Sequence, residues 1–319
     1  MEETMSKKKI FLITITTILF GMVLIVIGYF GKIYMDIKKT ADRSYESVER
    51  ISESKRNKYV DYAEGDAFSI LLIGTDSGDY GREDQGRSDV LIVATVNPTN
   101  KTTTLLSIPR DTYADIIGKN TKDKINHAYA YGGVPMAIAS VENLLDIPID
   151  HYAQVDLKGI KEIVDAVGGI EVNNKFSFKY GTTEFPIGKL SLDGEKALQY
   201  SRMRYDDPKG DYGRQERQRQ VITGILNKVK SLDTLTNYDD LLEILGDNFK
   251  TDLSWQTLKL LFENYRVALT NIESQQLVGE GFTGDGVTGE QGISYQKISD
   301  DELMKAKKNL KEQLNISES

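Results

Sequence analysis

No cysteine occurs in the 319 residues, which excludes disulfide scaffolds, thiolate metal sites and cysteine nucleophiles. Histidine is nearly as scarce: His127 and His151 are the only two, and neither has the neighbours of a Ser-His-Asp triad or a zinc site. An excess of positive charge is missing too. The formal net charge is -8, and no helix-turn-helix pattern is present, so no nucleic-acid partner is expected. There is no internal repeat and no sign of a second core. The string Gly284-Asp285-Gly286-Val287-Thr288-Gly289 matches a dinucleotide fingerprint, but no helix pattern opens after it and no acidic ribose partner follows, so it reads as a loop.

Against this scarcity stands one long apolar run. Ile10 to Phe30 carries no charge, and at about 1.5 Å per residue it spans about 30 Å, one hydrocarbon core. Lys7, Lys8 and Lys9 precede it, and Tyr29-Phe30-Gly31-Lys32 offers no small-x-small cleavage site, so it reads as an uncleaved anchor. The charge rule for orientation is weak, because Lys32, Lys38, Lys39 and Arg43 lie on the far side. The chain therefore divides into a tail at 1–9, an anchor at 10–30, a polar, charged stalk at 31–65, and one folded domain at 66–319 with its core at 68–229.

A local positive island interrupts the acidic chain. Ser201 to Val221 holds Arg202, Arg204, Lys209, Arg214, Arg217 and Arg219. Val221, Ile222, Ile225, Leu226 and Val229 recur at helical spacing and define one buried stripe. At about 100° per residue, Arg214 and Gln218 project onto that stripe, whereas Glu216 and Gln220 face away. An inward arginine needs a partner. An anion at the helix N-terminus would satisfy it, and so would Asp206, Asp207 or Asp211 in a structural network.

The remaining pattern predicts an α/β fold: a single α-β-α sandwich domain with a mixed central sheet, preceded by one N-terminal transmembrane helix. Ala67–Thr75, Val90–Val96 and Thr103–Ile108 read as strands of an up-down-up meander. That topology places Asp76, Arg87, Asp89 and Arg110 on one rim. Helices are expected at Val134–Leu145, Leu157–Ala166, Leu192–Tyr200, Asp239–Leu245, Trp255–Ala268 and Asp300–Leu314. Further strands are expected at His151–Val155, Ile170–Val172 and Gln275–Val278. Asp76 and Asp89 at strand ends suit Mg²⁺ or ion pairing with Arg82, Arg87 or Arg110. Lys124 and Asn126 sit in a segment that reads as a turn.

The blocks LLIGTDS, GRSD, TVNPTNKTTTLLSIPRDTY, DKINHAYAYGG, VENLLDIPID, VDAVGGIEV, LDGEKALQYSRMR and GDYGRQERQRQV run in order from about Phe68 to Val229. By these the chain resembles the LytR-CpsA-Psr family of membrane-anchored cell-envelope proteins. The resemblance implies a phosphotransferase outside the cell membrane, single-pass, with its C-terminal domain extracytoplasmic. It would move a phosphate-linked glycopolymer, such as teichoic acid or capsule, from an undecaprenyl-pyrophosphate carrier to peptidoglycan. It implies Mg²⁺, with Mn²⁺ as substitute, on Asp76 and Asp89, and pyrophosphate on Arg87, Arg110, Lys124, Arg202, Arg204, Arg214 and Gln218. Asp89 and Arg110 become the catalytic candidates. Many members carry arginine directly after GTDS, where this chain has Gly78, with Arg82 nearby. Two alternatives stay open: a polyprenyl-pyrophosphate pyrophosphatase, and a non-enzymatic envelope regulator or polyanion-binding protein.

Overall fold

A computed structural model describes residues 31–75, 86–231 and 249–316, except positions 33, 37, 57 and 288. Asp76, Gly78, Arg82, the apolar run at 10–30 and the helix expected at 239–245 lie outside the described residues. Among those described, no helix is long and apolar enough to cross a membrane.

Chain order begins with β1 (Phe68–Thr75), β2 (Ser88–Asn97), β3 (Thr102–Ser107), β4 (Tyr113–Ile116), β5 (Thr121–Lys124) and α1 (Ile125–Leu145). Next come β6 (His151–Asp156), α2 (Leu157–Ala166), β7 (Ile170–Asn174), β8 (Phe178–Tyr180), β9 (Thr183–Phe185), β10 (Gly188–Leu192), α3 (Gly194–Arg202) and α4 (Asp211–Ser231). The chain closes with β11 (Phe249–Thr251), α5 (Trp255–Asn264), β12 (Asn271–Gln276), β13 (Gly279–Gly284), β14 (Ile293–Ile298) and α6 (Asp300–Gln313).

Among the described residues, six strands form the central sheet in the order β11-β6-β1-β2-β3-β12. The meander is as expected, with β1–β2 and β2–β3 antiparallel. The β1–β6 and β3–β12 pairs are parallel, which makes the sheet mixed. Alternation along the strands sends Leu71, Ile73, Leu91, Val93 and Leu106 to one face, against Ile138, Val141 and Leu145 of α1 and Leu310 of α6. Ile70, Leu72, Ile92 and Leu105 take the opposite face, with Ile222 of α4. A smaller cluster, including Phe178, Phe185 and Tyr200, packs beneath α3 and α4.

Three elements differ from expectation. Helix α1 starts nine residues before the expected Val134, running through Ile125–Tyr131 and then across Gly132 and Gly133, both non-helical, with Gly133 at φ 61°. The glycines break the helix without ending it, and Pro135 is tolerated because it falls in the first turn after the break. The expected strand at Gln275–Val278 begins four residues earlier, at Asn271, and ends at Gln276. The helix expected to continue to Ala268 stops at Asn264 and passes into a 3₁₀ turn, Arg266–Thr270. The hairpins β4–β5, β8–β9 and β13–β14 went unread because their strands are short and largely polar.

The stretch read as a stalk lies partly along the domain. Arg56 forms a bidentate pair with Asp150, Arg50 pairs with Glu142, and Lys55 with Asp146. Asp146 also accepts from Lys311 of α6 at 2.7 Å. Hydrogen bonds from Lys311 and Lys55 hold its carboxyl down at about 2. A carboxylate depressed in the fold stabilises above its unfolded value of 3.8 and loses that contribution as pH falls toward 2. An Asp146→Asn protein should therefore melt slightly below wild type at neutral pH. That gap should close across this acid window in a series of thermal melts, the effect being small because the group is half exposed.

Candidate active site

The strand register builds the site. Thr75 pairs with Ser88 at the end of β1, so Asp89 sits at the start of β2, on the rim. Ile108 N–H donates to the Leu91 carbonyl, and two residues further in each direction bring Arg110 level with Asp89. Their side chains meet: Arg110 Nη1 donates to Asp89 Oδ1 at 2.8 Å. Burial pulls the Arg110 guanidinium down, but Asp89, with Asp111 and Asp211, more than offsets it, and the net direction is upward.

Helix α4 crosses this rim. It presents Arg214, Gln218, Val221, Ile222 and Ile225 to a cavity of about 450 Å³, as the helical projection requires. The opposite wall is the sheet, through Leu72, Gly74, Val90, Ala153 and Val155, with Ile160 and Ile163 of α2 and Phe249 of β11 closing the far side. Asp89, Arg202, Arg214 and Gln218 share one lining with this apolar wall. Gly74 is required by close approach: a Cβ there would lie 2.8 Å from Val90 Cβ.

Arg214 decides what the cavity can hold. Its side chain is 12% exposed, and among the described residues it forms an ion pair with Asp211, at 2.5 Å from Nη2. That contact is too poorly aligned for a hydrogen bond, and Nε and Nη2 are both buried without an acceptor among the described residues. Burial, with Arg110 adding to it and Asp211 opposing, pushes the guanidinium downward. A buried cation with unused donors is under-compensated, and an anion in the cavity would complete it.

Not every expected residue joins this group. Arg204 is 3.9 Å from Asp211 and so borders the site through that carboxylate. Arg87 is exposed on the same rim, just before Ser88. Lys124 does not line the cavity: its Nζ is held by Asp111 Oδ1 at 2.7 Å and lies over the Tyr295 ring. His127 pairs with the buried Asp123, which also accepts from Tyr131. His151 pairs with Asp252 and Tyr62, at the end of β6 away from the cavity. Of the three carboxylates that the sequence offered as counter-charge for the inward arginine, it is Asp211 that stands against Arg214, and it gathers Arg204 as well. Sequence reasoning missed the apolar wall contributed by α2 and Phe249, which carries no local mark.

Among the described residues, Asp89 is the one cavity-lining carboxylate that could contribute to holding a hard divalent cation. Arg110 occupies Asp89 Oδ1, and no other hydrogen bond reaches that carboxylate among the described residues. No cluster of three His, Asp or Glu side chains occurs among them. One or two carboxylates completed by substrate phosphate oxygens is a Mg²⁺ donor set, and Asp89 supplies one.

Comparison with known proteins identifies the family. The LytR_cpsA_psr family model matches residues 32–312. A polyisoprenyl-teichoic acid--peptidoglycan teichoic acid transferase TagU of Enterococcus faecalis is 51% identical over 316 residues, 98% of this chain and 99% of that protein. The crystal structure of B. subtilis TagU is 40% identical with a TM-score of 0.63, covering 80% of this chain and 99% of that one. A structure of TagT bound to LIIa-WTA is 33% identical with a TM-score of 0.71, covering 85% and 100%. A family match over nearly the whole chain, together with relatives matched end to end, places this protein in the LytR_cpsA_psr family.

Proposed function

We propose that the protein is a polyisoprenyl-teichoic acid--peptidoglycan teichoic acid transferase, joining a phosphate-linked wall polymer to peptidoglycan. One observation carries this reading: under-compensated arginine donors share one cavity with a mostly apolar lining. That is the complement of a polyprenyl pyrophosphate, a dianionic head on a hydrocarbon tail. The relative named TagT, solved with LIIa-WTA, supports the same assignment.

In the reaction, the acceptor hydroxyl oxygen bonds to the phosphorus bearing the polymer. The bond from that phosphorus to the bridging oxygen breaks, and polyprenyl phosphate leaves. Arg214, Arg202 and Gln218 hold the non-bridging oxygens and stabilise charge that grows in the transition state. Arg110 fixes Asp89 through Oδ1, so the other carboxylate oxygen is positioned either to take the acceptor proton or to ligate metal. Mg²⁺ held by Asp89 with Asp76 would neutralise pyrophosphate charge. Arg87 and Arg204, at the border, meet the polymer-side phosphate, and Lys124 steadies the Asp111–Arg110 corner. The run at 10–30 anchors the chain, and the domain at 66–319 works outside the membrane.

The test is transfer by purified full-length protein from a lipid-pyrophosphate glycan donor to peptidoglycan fragments, read by mass spectrometry. A phosphodiester-linked adduct is expected, together with co-purified polyprenyl phosphate in the untreated protein. Free glycan phosphate formed in preference to the adduct, with acceptor saturating, would instead make the protein a pyrophosphatase.

A further inference from the structure

Helix α5 (WQTLKLLFEN) is amphipathic, with Trp255, Leu258, Leu261 and Phe262 along one stripe, yet none of its residues is fully buried. Phe262 is 57% exposed, and Arg266 lies over its ring. Trp255, Leu258 and Leu261 are half-buried, and a stripe left partly open in this way calls for a partner.

The chain itself indicates which partner. The apolar run ends at Phe30, and the helical residues that follow immediately come to α5. Tyr34 packs edge-on against Trp255 at 5.7 Å, and Trp255 Nε1 donates to Tyr34 Oη at 3.3 Å. Tyr34 is 49% exposed and Met35, beside it, 69%. Only three residues separate Phe30 from Tyr34, so an anchor in the bilayer brings this Tyr–Trp pair within about 6 Å of helical rise of the hydrocarbon edge. Tyr and Trp are the side chains that favour that depth, and the exposed Lys32, Lys39 and Lys259 on the same two helical stretches suit phosphate headgroups.

The same corner touches the cavity. Tyr45, at the end of the N-terminal helical stretch, bridges to Thr251 of β11. Phe249, two residues earlier on that three-residue strand, lines the apolar end of the cavity. One short edge strand thus joins the membrane-proximal helices to the wall that would hold the carrier's hydrocarbon.

We propose that α5 and the adjoining Tyr34–Met35 surface form an interfacial docking face that rests on the lipid headgroup layer. That face sets the apolar end of the cavity at the level from which a membrane-held carrier enters. The proposal rests on residues 10–30 being the anchor, and it adds a second, independent membrane contact supplied by the folded domain.

Trp255 is the only tryptophan in the chain, so its fluorescence reports this face without labelling. Full-length protein is reconstituted into phosphatidylcholine–phosphatidylglycerol vesicles, some carrying lipids brominated near the glycerol end. The brominated lipid should quench Trp255 several-fold more strongly than aqueous iodide. Phe262→Glu should reverse that preference and slow transfer from bilayer-held donor several-fold, while transfer from detergent-dispersed donor is unchanged. Quenching by iodide alone overturns the docking face. So does resistance to both quenchers, which would mean that protein covers the helix. Alkaline carbonate extraction separates the two readings. Protein that stays with the vesicles while Trp255 is open to iodide keeps the anchor and loses the docking face; protein that washes off loses both.

Discussion

Replacing Arg214 with methionine should lower the transfer rate at least about 100-fold, the scale of losing one preorganised charge donor in a dry site, without lowering the melting temperature. Both halves follow from the same geometry. The guanidinium is 12% exposed, Nε and Nη2 have no acceptor among the described residues, and burial with Arg110 pushes its ionisation downward. Folding therefore carries an under-compensated charge, which methionine removes while keeping most of the apolar stem. Asp211 is not stranded by the change, because Gln215 Nε2 donates to its Oδ2 at 2.8 Å and Arg204 stands 3.9 Å away. Thermal melts and single-turnover product formation give the two readings. If the interaction forms in the transition state, kcat falls with little change in KM. Unchanged transfer would take Arg214 out of the site. A large drop in melting temperature would make it a structural residue instead.

Much of the fold was written locally, and so was part of the candidate site. The meander is legible because β1, β2 and β3 are apolar runs with short connections, and α2 agreed with its expected limits because Asp156 caps it through Gly159 N–H. The inward turn of Arg214 and Gln218 follows from helical periodicity alone. What could not be read depends on distant packing. The apolar wall is assembled from β1, β2, β6, α2, α4 and β11, and each of its residues looks like ordinary core in its own segment. Ile222 and Ile225, counted in a buried stripe, are half-buried because they line the cavity. The fates of Arg217 and Arg219 were hidden for the same reason. Arg219 Nη1 donates to Ser107 Oγ at 2.5 Å and Nη2 to Gln276 Oε1 at 3.5 Å. These partners lie on β3 and β12, far along the chain, and burial, with Glu216 opposing it, pushes Arg219 down to about 10.

Arg217, three residues beyond Arg214 on the same helix, should behave in the opposite way. Arg217→Ala is expected to cost about 3–5 kcal/mol, as breaking a buried, hydrogen-bonded ion pair does. The side chain is 4% exposed and pairs with Asp207, itself 3% exposed. Its Nε donates to the Tyr200 carbonyl at 2.9 Å, and Nη2 donates to the Met203 carbonyl. The guanidinium also lies over the Phe176, Phe178 and Tyr200 rings. Alanine would leave the Asp207 carboxylate buried with only the Lys209 N–H on Oδ1. Lysine would keep the charge and lose the fork that reaches two carbonyls and a carboxylate at once, so Arg217→Lys should recover only part of the loss. Gly213 belongs to the same arrangement, because a Cβ there would fall 1.8 Å from Asp207 Oδ2. The two carbonyls that Arg217 holds flank Ser201 and Arg202, which line the cavity. Below its reduced melting temperature the Arg217→Ala protein should therefore bind donor more weakly through a displaced Arg202, and a rise in KM larger than the fall in kcat is the expected signature. A double-mutant cycle with Asp207→Asn, read by urea denaturation, tests the pairing itself. A coupling near zero would show that Arg217 acts through the carbonyls and rings rather than through the carboxylate.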